Sequence, residues 1–379
     1  MAQDSETVSR FLQSEIERGT FPGAQYVIGE AGAIAAEGAV GLAVVEPEQI
    51  PATLDTIYDL ASLTKPLVTA LLIVKFAERG LISLEAPAGE YVSELDEEGK
   101  RHLTVGQLLT HVSGFPNWRP IYLEARNRDD IASALARIPT PVPADLLYSD
   151  LNYLLLGVLL ERIAGERLDR LAAREIFEPL GLKRTMFNPP AELKRQIAAT
   201  ECGQVFEHGN ADAELAANGR FEVGLQIPAS GIYQWRDKVI WGEVHDGNAY
   251  FMEGVAGHAG LFSTAREVFR IANQFLTGSK LFKPETLPLF RTDFTPGQDT
   301  ARSMAWILAA TRDCSAGPSL PPYGMGHNGF TGGSVWMQPD KQRVLILLTN
   351  RVHPTVHATD MKTVRQRFNT LAIQTLDGC

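Results

Sequence analysis

Cysteine is scarce in this chain: three in 379 residues, at Cys202, Cys314 and Cys379. An odd, widely spaced set excludes a disulfide framework and a cysteine-based metal cage, both of which need paired cysteines at short intervals. Cys379, at the end of the sequence, is expected to be mobile. Long apolar runs are missing as well. The stretches Leu67 to Phe76 and Tyr153 to Leu160 stop short of the ~18 to 20 residues that span a bilayer and read as core helices. Residues Met1 to Leu12 lack the basic start and apolar centre of a signal peptide and read as an amphipathic helix, so a cytoplasmic location without membrane contact is expected. No basic run offsets the formal net charge of −10, which argues against a nucleic-acid surface. Histidines at metal-ligand spacing reduce to His353 and His357. Pro354 stands between them and no acidic base accompanies them, so neither a metal nor another cofactor is expected.

With 45% of its residues hydrophobic, the chain can bury a large core, and its length suits two domains or one elaborated domain. Its most informative run is Asp59-Leu60-Ala61-Ser62-Leu63-Thr64-Lys65-Pro66. A hydroxyl is a poor nucleophile near neutral pH until a neighbour takes its proton, and residues at i and i+3 share a helix face, so Lys65 is a candidate base for Ser62. In a first helical turn, the positive end of the dipole would favour a neutral Lys65 and an anionic intermediate, and Pro66 suits such a helix start. Leu67 to Phe76 would anchor the pair in the core.

Two further elements follow. Tyr148-Ser149-Asp150 opens the apolar run Leu151 to Gly157. Tyr148 is a second candidate base if positive charge such as Lys65 lies beside a phenol whose ordinary pKa is about 10; a capped loop tyrosine is the competing reading. His327-Asn328-Gly329 lies in a glycine-rich strand. There the backbone can approach a ligand closely, and its amides can join that of Ser62 in an oxyanion hole.

With three such elements in this order, the chain resembles the serine β-lactamase and penicillin-binding-protein superfamily, in particular class C β-lactamases and family VIII carboxylesterases. The superfamily's Ser-x-x-Lys, Tyr-x-Asn and Lys-Thr-Gly or His-x-Gly motifs map onto Ser62 to Lys65, Tyr148 to Asp150 and His327 to Gly329. Leu108 to Pro116, Glu178 to Leu182 and Gly257 to Thr264 are also family-like, so the likeness covers nearly the whole chain. It implies that Ser62 is the nucleophile and that Lys65 and Tyr148 share acid and base work. It also implies that His327 holds the third-motif position and that Ser62 and Phe330 supply the oxyanion-hole amides. His111 is structural by the same resemblance. For His258, between glycine-bounded neighbours, two readings stay open: lining the cleft, or a turn.

Two departures bear on substrate. Asp150 stands where the family mostly has asparagine, and an ionised carboxylate only accepts hydrogen bonds. It is poorly suited to a substrate amide, and beside Lys65 it would favour the protonated amine. His327 replaces a lysine, so a fixed positive charge for a substrate carboxylate is missing from the third motif. The expected activity is hydrolysis of small esters or amides through an acyl-enzyme on Ser62, most like a family VIII carboxylesterase. The alternatives are a cytoplasmic amidase on muropeptide-type amides, a weak β-lactamase, or a non-catalytic ligand-binding module.

The expected fold is α/β of the α+β type: an antiparallel sheet flanked by helices beside a mostly helical domain, with the site in the cleft between them. The sheet domain would combine residues 1–57 with about 255–379, and the helical domain about 58–254. Gln25 to Val45 reads as a hairpin, Ala265 to Phe275 as a helix, Gly333 to Gln338 and Arg343 to Thr349 as strands, and Met361 to Leu376 as a closing helix. Weak periodicity from Pro189 to Gly254 predicts long loops or a cap.

Overall fold

The computed structural model describes residues 2–141, 145–218 and 233–378. Among them the strands are, in chain order, β1 (Gly23–Glu30), β2 (Ala33–Val44), β3 (Ile50–Pro51), β4 (Tyr58–Asp59), β5 (Met186–Phe187), β6 (Leu261–Ser263), β7 (Ile307–Leu308), β8 (Met325–Asn328), β9 (Ser334–Gln338) and β10 (Arg343–Thr349). β1 and β2 form the predicted hairpin. Ala31 and Gly32 join them with φ of 51° and 77°, the positive values that match a two-residue turn to strand twist.

A seven-stranded antiparallel sheet runs in the order β3-β2-β1-β10-β9-β8-β7, so strands from both ends of the chain share it. Both faces are covered, which is why Val344 to Leu348 read as an unbroken apolar run. Alternate residues serve different layers. Tyr26, Ile28, Trp336, Leu345 and Leu347 pack under the helices Ala2–Glu17 and Met361–Asp377, against Val8, Leu12 and Phe368. Val27, Val335, Met337, Val344, Ile346 and Leu348 face the other way, joining Val268 and Ile271 of the helix Ala265–Ala272 and the core of the helical segments. A smaller sheet, β4-β6-β5, ties residues 58–59, 186–187 and 261–263 together below the site.

Leu67 to Phe76 are buried as expected, but not as one α-helix. Ser62 lies in a 3₁₀ turn, Ala61–Leu63, followed by a wide π-turn, Lys65–Ala70, and only then by the α-helix Leu71–Glu78. Pro66 sits in the first turn of the wide segment, where its missing N–H is harmless. The region expected to be long loops or a cap contains the helices Val205–Asn218 and Gly247–Phe251. Over residues 205–214 of the first helix Val205 and Phe206 are exposed while Glu207 and Ala211 are buried, so the apolar pattern there is weak. Residues 219–232 of that region lie outside the described residues, as does Cys379. No helix among the described residues is long and apolar enough to cross a membrane.

Candidate active site

The turn carrying Ser62 is held by the residue at the end of β4. Asp59, buried, accepts Ala61 N–H at 2.8 Å through one carboxylate oxygen and His245 N–H at 2.8 Å through the other. Burial pushes its pKa up, partly offset by those two bonds. Ala61 is thereby kept at φ 47°, a conformation that costs a non-glycine residue about 1 kcal/mol or more and is characteristic of functional sites. Sequence reading passed over both residues. Gly329 closes the turn from the opposite side: a Cβ there would lie 2.6 Å from Leu60 O, so only glycine lets the end of β8 approach so closely.

Lys65 is fully buried. Its Nζ donates to Ser62 Oγ at 2.9 Å and to His258 O at 3.2 Å, and forms an ion pair with Asp150 at 2.7 Å. Burial alone would lower its pKa, but the charge of Asp150, helped by Tyr148, outweighs burial and raises it. The neutral lysine expected from the helix dipole is therefore not what the structure shows: Asp150 keeps Lys65 protonated. The side chain of Tyr148 receives the positive charge the sequence reading required from two directions. Lys65 Nζ and Arg302 Cζ each lie 5.2 Å from the centre of its ring.

His111 supports the second motif. Its Nδ1 accepts Ser149 N–H at 3.0 Å, and its ring packs 4.6 Å from that of Tyr148. Ser149 in turn caps the helix Asp150–Ala164 through Leu151 N–H at 3.2 Å. Burial, then the charges of Arg302 and Lys65, hold His111 neutral. His327 is also buried and neutral, for the same reasons in the same order. Its Nδ1–H donates to Asn328 O at 2.8 Å, which leaves Nε2 as the acceptor. His258 does not line the cleft. Its side chain is buried and engages Asp246 at 2.8 Å, and only its carbonyl reaches Lys65. The cause is Gly257, where a Cβ would lie 2.0 Å from Tyr153 O: two backbones cross here and leave the histidine no way out.

Ser62 opens on two cavities. One, of about 750 Å³, is lined by Tyr148, Arg302, His327, Phe330, Arg351 and Lys362 among others; the second, of about 300 Å³, by Trp118, Tyr148, Asp150, Phe206, Asp246 and Phe330. Phe206 and Phe330, with ring centres 5.3 Å apart, stand where the cavities meet. Neither the amide of Ser62 nor that of Phe330 has an acceptor among the described residues. Arg302, absent from the sequence reading, is buried with no partner for its Nε among the described residues, and the ionisable groups acting on it are Tyr148 and Tyr153. The described residues contain no cluster of three or more His, Cys, Asp or Glu able to hold a metal.

Residues 8–369 match the family model described as Beta-lactamase. A protein of Escherichia coli O157:H7, provisionally named a D-alanyl-D-alanine carboxypeptidase, is 29% identical over 92% of this chain and 82% of its own length. Among solved structures, a β-lactamase from Sulfitobacter sp. EE-36 superposes with a TM-score of 0.73 at 21% identity, covering 100% of this chain and 98% of that one. EstCE1, a hydrolase with promiscuous acyltransferase activity, superposes with a TM-score of 0.72 at 19% identity, covering 99% and 98%. The fold is thus β-lactamase-like, and the protein belongs to the beta-lactamase family as a serine hydrolase.

Proposed function

We propose that the protein is a carboxylesterase-like acyl hydrolase in which Ser62 forms a covalent acyl-enzyme with small-molecule esters. The observation that carries this is the join of Ser62 Oγ to Lys65 Nζ at 2.9 Å beside two amides that have no acceptor among the described residues. Ser62 Oγ attacks the carbonyl carbon, and the developing oxyanion takes hydrogen bonds from Ser62 N–H and Phe330 N–H. Because Lys65 is held protonated, its part is electrostatic. Acting as its phenolate, with a cation on either side of its ring, Tyr148 takes the hydroxyl proton and then returns it to the leaving alkoxide; water retraces these steps on the ester of Ser62. Asp150 is engaged by Lys65 and offers a substrate amide no donor, which favours esters.

A second reading has its own support. Arg302 supplies the fixed positive charge that the third motif lacks, from outside any motif, so selection for a carboxylate near the scissile bond does not depend on His327. Peptide substrates ending in a carboxylate fit that charge, as does the name given to the Escherichia coli relative. The test is intact-protein mass spectrometry of wild type and Ser62→Ala after brief mixing with p-nitrophenyl butyrate. Initial rates on an N-acyl-D-alanyl-D-lactate ester and the matching D-alanyl-D-alanine amide accompany it. An adduct on wild type alone supports Ser62 as nucleophile, and faster turnover of the esters supports the first reading. Faster turnover of the amide moves the assignment to the second. No adduct with any of the three removes both.

A further inference from the structure

The turn between β8 and β9, residues 329–333, is gripped from behind by two arginines. Arg365, from the helix Met361–Asp377, donates through Nη2 to Gly329 O at 3.0 Å and Gly333 O at 3.2 Å, and through Nε to Gly332 O at 3.3 Å. Arg351, just past β10, donates through Nε to Phe330 O at 2.8 Å and lays its guanidinium 4.6 Å from the centre of the Phe330 ring. Thr331 O accepts from Thr349 Oγ1 and from Arg351 N–H, both at 3.0 Å. Every carbonyl of the turn has a donor, while the amide of Phe330 has no acceptor among the described residues.

Burying a guanidinium is costly, and neutral donors suffice to hold an ordinary turn. Arg365 is buried with Arg351 as the charged group acting on it; burial, then that neighbour, lower its pKa to about 9, which leaves it charged at neutral pH. One of its contacts stands out. Gly329 O and Phe330 N–H belong to the same planar trans peptide and point in opposite directions, so fixing the oxygen fixes the hydrogen. A cation on that oxygen also polarises the N–H and strengthens it as a donor.

We propose that Arg365, assisted by Arg351, is a positioning residue: it locks and polarises the Gly329–Phe330 peptide so that Phe330 N–H stays turned toward the cavity beside Ser62 N–H. This rests on the reading that Ser62 is acylated and that these two amides hold the oxyanion. Without the guanidinium, Gly332 N–H at 3.0 Å is left as the donor to Gly329 O; the peptide is held less firmly and loses its polarising cation, so Phe330 N–H weakens as a donor in the transition state while substrate binding is left largely intact.

The experiment compares wild type, Arg365→Lys and Arg351→Gln on p-nitrophenyl butyrate and on the corresponding thionoester, with near-ultraviolet circular dichroism to establish folding. Sulfur accepts hydrogen bonds poorly, so the ratio of oxygen-ester to thionoester rates reads the oxyanion donors directly. Arg365→Lys keeps the charge and loses the fork; kcat is expected to fall about 10²-fold. The rate ratio falls with it, KM stays within about threefold and the Ser62 adduct still forms, only more slowly. Arg351→Gln moves kcat and the ratio in the same direction by a smaller factor. The proposal is overturned if folded Arg365→Lys keeps the wild-type kcat and ratio, or if KM rises while both are unchanged, which would make Arg365 a substrate contact. Should Arg365→Lys fail to fold, an unchanged ratio in Arg351→Gln overturns it, and a lowered ratio supports it. Failure of the underlying reading shows separately, as a wild type that forms no adduct, and the positioning role falls with it.

Discussion

Lys65 and Lys75 lie on one continuous stretch of this chain, both buried, and each touches a carboxylate and a backbone carbonyl. Lys65 meets Asp150 at 2.7 Å and His258 O at 3.2 Å; Lys75 meets Glu175 at 3.0 Å and Glu175 O at 2.7 Å. They differ in the third partner. Around Lys75 it is a second cation, Arg79, which also binds Glu175, at 2.8 Å. Glu175 would be pushed up by burial, but these two cations drag it down to about 2, and Arg174 pairs with it as well, so every side chain in the cluster is charged. Around Lys65 the third partner is a hydroxyl at 2.9 Å that opens on both cavities. A buried lysine–carboxylate pair therefore marks no site by itself. What separates chemistry from scaffolding is whether the remaining contact can lose a proton where a ligand can reach it.

The largest expected effect comes from removing the first lysine. Lys65→Met is expected to lower kcat for p-nitrophenyl butyrate about 10³-fold, since Ser62, Asp150 and Tyr148 all lose the cation they share. Activity within a few-fold of wild type would put Lys65 in the same category as Lys75. The complementary change, Lys75→Met, is expected to leave kcat and KM near wild type while costing about 2 kcal/mol of unfolding free energy in urea. Arg79 continues to pair with Glu175 and limits the loss. A drop in kcat without a drop in stability would break the comparison from the other side.

What the sequence could and could not reveal follows from how local each feature is. Ser62, Lys65 and Pro66 are near neighbours, and the sheet strands and closing helix carry period-two and helical apolar patterns, so these could be read directly. The positive φ of Ala61 and the π-turn after Lys65 have no such signature; they exist because Asp59, Gly329 and the core close around the turn. Arg302 sits in a run without a motif and is placed by an irregular loop whose contacts leave no sequence pattern, among them Thr295 Oγ1, which accepts Arg302 N–H at 2.9 Å. Arg365 did leave a trace: it shares the inward face of the last helix with Met361, Phe368 and Ala372, and an arginine on an apolar stripe invites the question of what it binds. His258 stayed open between two readings because a family-like run of glycines marks a backbone crossing as readily as a cleft wall.

A smaller effect is expected from Asp150→Asn, which restores the amide usual in the second motif and removes the carboxylate that Lys75 keeps in Glu175. Without Asp150, the largest force raising the pKa of Lys65 is gone and burial, which lowers it, dominates. The ester pH–rate profile then separates two uses of the lysine. If protonated Lys65 is needed, activity falls on the alkaline side at a lower pH than in wild type. If neutral Lys65 is the base, the rising limb moves toward acid pH. An overall change of about tenfold in kcat is expected with the first pattern, and the second would reverse the electrostatic role assigned to Lys65.

The smallest expected effect concerns stability against acid and isolates the scaffolding pair. Glu175 ionises at about 2 in the folded chain against an ordinary value of 4.5. The unfolded chain therefore takes up this proton first as pH falls. The stability owed to the carboxylate is complete above its ordinary value and is lost progressively as pH falls toward 2. Glu175→Gln cannot titrate, so its urea midpoint is expected to lie below that of wild type at neutral pH and to converge on it as the solution is acidified through this window. Parallel curves across the window would mean that Lys75 and Arg79 do not hold the carboxylate ionised, and the contrast with the cleft lysine would lose its electrostatic half.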